Sequence, residues 1–242
     1  MKILAIDTSN QPLSVALLED QKLLAETTTT VSKNHSATLM PAIDQIFKQS
    51  RLKPADIDRV VVAQGPGSYT GLRIGVTTAK TLAYSLDKEL VGVSSLAVLA
   101  AAVHPNDDTI LVPLFDARRQ NVFAGAYQWQ DSQLVNVLPD QHVSLNDLCQ
   151  QLSGKKICLI GTAAQQFADE FAANLAADSY DFAPVETAVP RAFVLGLLGE
   201  DKQPENVNDF LPQYLRITQA EAQWLEKNPA GKENHGPYIQ KY

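Results

Sequence analysis

Two cysteines in 242 residues, Cys149 and Cys158, are too few for a disulfide framework and show no metal spacing. Histidine is also sparse. His35, His104, His142 and His235 are scattered, none with another histidine three or four residues away, so no paired metal ligands are expected. No serine or cysteine sits in a nucleophile-elbow pattern, which leaves a hydrolase without residues to stand on. No apolar run reaches the roughly 18–20 residues that cross a bilayer. The opening ten residues carry one lysine, a short apolar stretch and an aspartate. They lack the long apolar region and small-residue cleavage site of a signal peptide and are expected to form a buried first strand. Positive charge is short too: 20 Lys and Arg stand against 27 Asp and Glu, for a net charge of −7. Affinity for a phosphate backbone depends on clustered Lys and Arg, and the pairs Arg118-Arg119 and Lys155-Lys156 are too small to override that balance. These absences predict a cytoplasmic chain without membrane contact that meets nucleic acid only through a partner.

With hydrophobic residues at 45%, the chain can bury a full core, and its length predicts two lobes. Apolar, β-branched strands are predicted at Lys2 to Ile6, Leu13 to Leu18 and Lys22 to Thr27, with the tight turn Glu19-Asp20-Gln21 joining the last two. A helix follows from about Ser36 to Ser50. A Val run at Arg59 to Ala63 reads as a strand covered on both faces. Then come the loop Gly65-Pro66-Gly67-Ser68-Tyr69-Thr70-Gly71, a helix to about Leu86, a strand at Leu90 to Val93 and a helix from Ser95. The second half begins the same way. Asp116-Ala117-Arg118-Arg119-Gln120 after the strand Ile110 to Phe115 echoes Asp7 to Gln11 after the first strand. Val122 to Tyr127, an acidic hairpin at Asp131, a helix at Leu145 to Leu152, a strand at Lys156 to Ile160, Gly161 and a helix from Ala163 to about Ala173 complete it. One more helix is expected over Pro190 to Glu200, with Pro at its first turn. The repeat predicts duplicated β-β-β-α-β-α-β-α halves in a two-lobed actin-like ATPase architecture. The lobes are expected over 1–104 and 105–216, with an amphipathic segment at Thr218 to Glu226 and a polar tail over 217–242.

An actin-like ATPase needs an aspartate at the end of its first strand to hold a metal-bound water, and glycine-rich turns whose N–H groups cradle phosphates. Asp7 stands there, with Thr8 and Ser9 beside it and Gly65 and Gly67 as the glycines of the loop. Those residues are equally the parts of a turn held by local hydrogen bonds and of a strand and helix packed closely. The second half is poorer. Ala117-Arg118-Arg119 replaces a glycine-rich turn, and non-glycine residues there are expected to resist positive φ. No Lys-Ser/Thr pair closes the Gly65–Gly71 loop, so it is not a Walker A loop. Autonomous ATP hydrolysis therefore lacks a complete set of parts.

The two helices of the first half carry more apolar surface than one sheet requires. Leu39, Ile43 and Phe47 belong to an apolar arc of roughly 160°. On the next helix, Leu72, Val76, Ala79, Leu82 and Leu86 form one side, and Ile74, Thr77, Thr78, Thr81, Tyr84 and Ser85 a weakly polar second side. Gly71, Gly75, Ala79 and Ala83 make a ridge of small side chains that permits another element to approach closely. That element is either the chain's own lobe or a partner.

Three stretches resemble the bacterial TsaB (YeaZ) family of tRNA threonylcarbamoyladenosine biosynthesis: Ile3 to Ser9, Asn34-His35-Ser36 running into a helix with Pro41, and Gly65 to Gly75. The Pro212-Gln213-Tyr214-Leu215-Arg216 ending is similar as well. The resemblance is strong to about residue 100 and weaker from there to Arg216. It implies a non-catalytic scaffold that pairs with a TsaD-like catalytic subunit and works with a TsaE-like small ATPase. It also implies a homodimer when the partner is absent, contact with tRNA only through the complex, and no cofactor of its own beyond ATP or ADP at an assembled interface. Leu39, Ile43, Phe47, Gly71, Ile74, Gly75, Thr78, Ala79, Thr81 and Leu82 are then the expected interface. Ser95 and Leu99 stand where the catalytic subunit carries paired histidines, which implies that its metal centre is gone.

Overall fold

The computed structural model describes residues 1–31, 34–105 and 107–216. The expected segment at Thr218 to Glu226, the tail after it and His235 lie outside the described residues. The first half runs β1 (Lys2–Asp7), β2 (Leu13–Glu19), β3 (Lys22–Thr29), α1 (His35–Ser50), β4 (Arg59–Gly65), α2 (Tyr69–Leu86), β5 (Glu89–Ser94) and α3 (Ser95–Ala101). The second runs β6 (Ile110–Asp116), β7 (Asn121–Gln130), β8 (Gln133–Ser144), α4 (Leu145–Leu152), β9 (Ile157–Ile160), α5 (Thr162–Gln166), α6 (Ala168–Asn174), β10 (Tyr180–Phe182) and α7 (Ala192–Glu200). The strands lie in the orders β3-β2-β1-β4-β5 and β8-β7-β6-β9-β10. Both sheets pair their first three strands antiparallel and add the next two parallel. Identical order and sense in both halves make the repeat a structural one. The chain has the two-lobed actin-like ATPase fold.

The sequence dictates this locally. β1 alternates Leu4 and Ile6 toward α1 and α2 with Ile3 and Ala5 toward α7, which is why it reads as a continuous apolar run. Asn34 caps α1 by accepting the Ala37 N–H at 3.3 Å, and Ser68 caps α2 through the Gly71 N–H at 3.4 Å. Both helices close on a left-handed residue, Arg51 and Asp87.

Three elements depart from expectation. The predicted helix from Ala163 is broken at Phe167, which caps both α5 and α6, and the break lets Phe167 and Phe171 reach the same core. β10 has only three residues, too few to show a period in the sequence. Pro190 precedes the cap Arg191 and stands outside α7. In the lattice of contacts between halves, α3 packs its Leu96 and Leu99 with Leu111, Phe115 and Phe123 of the second sheet. α7 packs Ala192 and Leu195 on Ile3, Ala5 and Val61 of the first. The halves thus exchange helices, and the expected boundary at 104/105 is crossed in space. Among the described residues, no helix is long and apolar enough to cross a membrane.

Candidate functional site

The turn after β1 and the loop after β4 pack against each other. Asp7 is buried, and its Oδ1 accepts from the Ser9 N–H at 2.9 Å and the Ser9 hydroxyl at 2.7 Å. Its Oδ2 is buried without a partner. Burial pushes the carboxyl up, opposed by the hydrogen bonds of Ser9 and the charge of His35. His35, the first residue of α1, donates Nε2–H to the Asn10 carbonyl oxygen at 2.8 Å, and its Nδ1 is buried without a partner. Sequence reading of the site missed His35. Its neighbours Asn34 and Ser36 were the available signal.

The glycines of the loop serve close packing. Ser68 donates its N–H to the Ser9 carbonyl at 2.7 Å, and a Cβ on Gly67 would fall 2.1 Å from that oxygen. A Cβ on Gly71 would fall 2.1 Å from the Thr8 carbonyl oxygen, and one on Gly75 would fall 2.3 Å from Thr8 Oγ1. Thr8 Oγ1 itself donates to the Gly71 carbonyl at 2.8 Å. Gly65 adopts φ +121°, and its position is closed by the Gln213 carbonyl. Asp7, Thr8, Ser9, Gly65 and Gly67 are therefore brought together as the sequence suggested. Asp7, Thr8 and Ser9 are buried, and the Thr8 and Ser9 carbonyls face the glycines of the α2 loop.

In the matching turn after β6, Arg118, Arg119 and Gln120 have φ of 68°, 55° and 58°. This corrects the expectation that non-glycine residues would resist such a turn. Asp116 Oδ1 accepts the Arg118 N–H at 2.7 Å, and Asn121 Nδ2 donates to the Arg119 carbonyl at 2.9 Å, so hydrogen bonds offset the strain. Ser95 and Leu99 are both fully buried. The Ser95 hydroxyl accepts the Gly65 N–H at 3.2 Å, and Leu99 lies in the apolar layer on the second sheet. Among the described residues, no group of three or more His, Cys, Asp or Glu could hold a metal ion.

The expected interface residues divide. Leu39, Ile43, Phe47, Gly71, Gly75 and Ala79 are buried against the lobe's own sheet and the β1 turn, so the small-residue ridge admits Thr8 rather than a partner. Their apolar period recorded this internal packing. Ile74, Thr78 and Leu82 are half-buried, and Thr81 is exposed together with Thr77, Ser85 and Tyr84, whose exposure is 72%. Met40 on α1 is 49% exposed. Lys80 turns away to donate to the Asn208 and Phe210 carbonyls at 3.1 and 2.7 Å. What remains outward on α2 is broad and weakly polar.

Over residues 23–224 the chain matches the family model described as TsaD, tRNA N6-adenosine threonylcarbamoyltransferase. It is 42% identical over 231 residues to the tRNA threonylcarbamoyladenosine biosynthesis protein TsaB of Bacillus subtilis, covering 93% of this chain and 99% of that protein. With the protein of the same name from Escherichia coli it shares 33% identity over 176 residues, 70% of this chain and 74% of that protein. The solved structure of YeaZ from Pseudomonas aeruginosa superposes with a TM-score of 0.74 at 23% identity, covering 88% of this chain and 99% of that one.

Proposed function

The chain belongs to the TsaB family, and from that premise we propose that it serves tRNA threonylcarbamoyladenosine biosynthesis as a non-catalytic partner subunit. Its partner is a TsaD-like threonylcarbamoyltransferase, which modifies N6 of the adenosine next to the anticodon. A TsaE-like small ATPase completes the machinery, and tRNA is held through the complex. The observation that carries this reading is the outward face of α2, where Thr77, Thr78, Thr81, Ser85 and Tyr84 offer uncharged surface and the exposed Arg73 bonds the Tyr69 hydroxyl at its N-terminal end. Such a face forms an interface core at small desolvation cost. In the absence of its partner, a second copy of the chain covers the same face.

The burial of Asp7, Thr8, Ser95 and Leu99 supports the non-catalytic half of the proposal. Ser95 and Leu99 offer no paired ligands, and Asp7, Thr8 and Ser9 are covered by the glycines of the α2 loop. Any ATP or ADP of the assembled complex then takes its phosphate donors from the partner.

The test is to charge the face without disturbing the lobe. Thr78→Glu and Thr81→Arg keep near-normal melting temperatures. Both lose the homodimer and the complex, because a charge desolvated at an interface core costs several kcal/mol, about 3 or more. Threonylcarbamoyl transfer by the reconstituted machinery fails with them. Folded variants that still pair and support full transfer would move the interface elsewhere.

A further inference from the structure

Four of the seven arginines in the chain are linked through Tyr69, Tyr214 and Ala117, although only Arg118 and Arg119 are adjacent in sequence. Arg216 donates Nη1 to the Ala117 carbonyl at 2.7 Å, beside Arg118 and Arg119, which are both exposed. Two residues before Arg216, Tyr214 packs on Tyr69 with ring centroids 4.7 Å apart and planes at 31°. Arg73 lies 5.5 Å over the Tyr69 ring and donates Nη1 to its hydroxyl at 2.8 Å. Among the described residues, none of these four guanidinium groups is paired with a carboxylate. Of the other three arginines, Arg59 and Arg191 are paired with Glu89 and Glu26, and Arg51 stands apart at the end of α1. Asp116, the acidic residue of the Arg118 turn, is occupied by the Arg118 N–H.

The tyrosines are not core residues. Tyr69 and Tyr214 are 43% and 41% exposed, whereas Tyr127 is 3% exposed and spends its hydroxyl on Asp140. Nor is Tyr214 loose. Gln213 donates its N–H to the Gln64 carbonyl at 2.7 Å on the first lobe, and Arg216 is tied to the second. A ring fixed at both sides and open to solvent loses little freedom when something stacks on it.

We infer that the Tyr69–Tyr214 pair, ringed by Arg73, Arg118, Arg119 and Arg216, is a platform for an unpaired stretch of RNA, with one base stacked on the exposed tyrosine and its flanking phosphates on the arginines. Aromatic faces accept any base, and guanidinium groups accept phosphate oxygens in two-point contacts. The platform is open rather than enclosed, and its charges spread over both lobes. That suits a strand lying across it better than a small nucleotide, which takes a concave site. The cavity of about 300 Å³ lined by Lys80, Thr81, Tyr84, Val207 and Asn208 is formed by other residues. On a chain of net charge −7 such a site is weak alone and adds to a surface supplied by a partner. RNA as the source of the nucleotide rests on the proposed place in tRNA modification. The test needs no partner subunit, so its failure leaves the pairing of subunits standing.

The full chain is titrated at low salt into a single-stranded octaribonucleotide carrying 2-aminopurine at its centre. Stacking quenches the probe in a saturable way. Tyr214→Ala and Tyr69→Ala weaken binding about tenfold or more, Tyr214→Phe holds it within about twofold, and each variant is checked for an unchanged melting temperature. Replacing Arg118 and Arg119 by Gln lowers the dependence of log affinity on log salt by about 1 to 2. A wild-type chain that leaves the probe unquenched overturns the inference, as does a folded Tyr214→Ala variant that binds as well as the wild type. ATP that binds at Tyr214 while the oligonucleotide does not reassigns the site to a free nucleotide and overturns the RNA assignment.

Discussion

Asp7 holds a carboxylate at 2% exposure with one oxygen satisfied by Ser9 and the other by nothing. Burial raises its pKa above the ordinary value of 3.8, so the folded state prefers the protonated acid. The sign follows: what Asp7 contributes to stability is fully present below the unfolded pKa and is lost as pH rises through the folded one. Asp7→Asn keeps the acceptor for Ser9 and removes the buried charge. The variant is expected to gain on the wild type between pH 4 and pH 7, reaching at least equal stability at pH 7. Urea midpoints at the two pH values measure this, with His35 the charged neighbour that opposes the trend. A variant that loses ground at pH 7 would mean that the charge has a partner in the folded protein.

At the scale of elements, α2 is seated by what it lacks. Gly75 passes so near Thr8 that an added Cβ would lie 2.3 Å from its Oγ1, and the hydroxyl bonds back to the Gly71 carbonyl. Gly75→Ala raises helix propensity by about 1 kcal/mol but overpacks this contact at about 1–3 kcal/mol, for a net loss. Removing the obstacle should recover part of it. In a double-mutant cycle with Thr8→Ala, the pair is expected to be less destabilising than the sum of its members. Simple additivity would show that the helix meets something else there. α3 is tied in another way. Its cap Ser94 accepts the N–H groups of Leu96 and Ala97 at 3.2 and 3.3 Å and donates to Asp140 of β8, joining the helix start to the second sheet.

Across the whole molecule the exchanged helices decide cohesion. Arg59, 5% exposed, donates Nη1 to the carbonyls of Gly199, Glu200 and Lys202 at 2.7, 2.6 and 3.0 Å while pairing with Glu89. The chain then returns along β5, where the Glu205 N–H meets the Leu90 carbonyl at 2.8 Å and Phe210 enters the first core. Residues 1–104 alone leave the α7 face of their sheet, Ile3, Ala5, Val61 and Val91, open to water. That fragment is expected to lack a cooperative unfolding transition and dispersed amide resonances. Adding residues 105–242 should restore both. A fragment that folds cooperatively alone would show that α7 is dispensable to the first lobe.

Strand and helix positions in the first half and most of those in the second, the repeat that relates them and the turn at Asp7 were written in the sequence, because periodicity and capping are local. Long-range packing was not. The ridge of Gly71, Gly75 and Ala79 has the same period whether it faces a partner or Thr8, and only the close approach across α2 and the β1 turn tells the two apart. Arg118 to Gln120 read as residues that avoid positive φ, yet Asp116 and Asn121 hold them there by hydrogen bonds. Tyr214 and Arg216 meet Tyr69 and the Arg118 turn only because the end of the chain crosses from one lobe to the other. Pattern fixes which face a residue shows. Which surface answers it is decided by contacts between segments far apart in the chain.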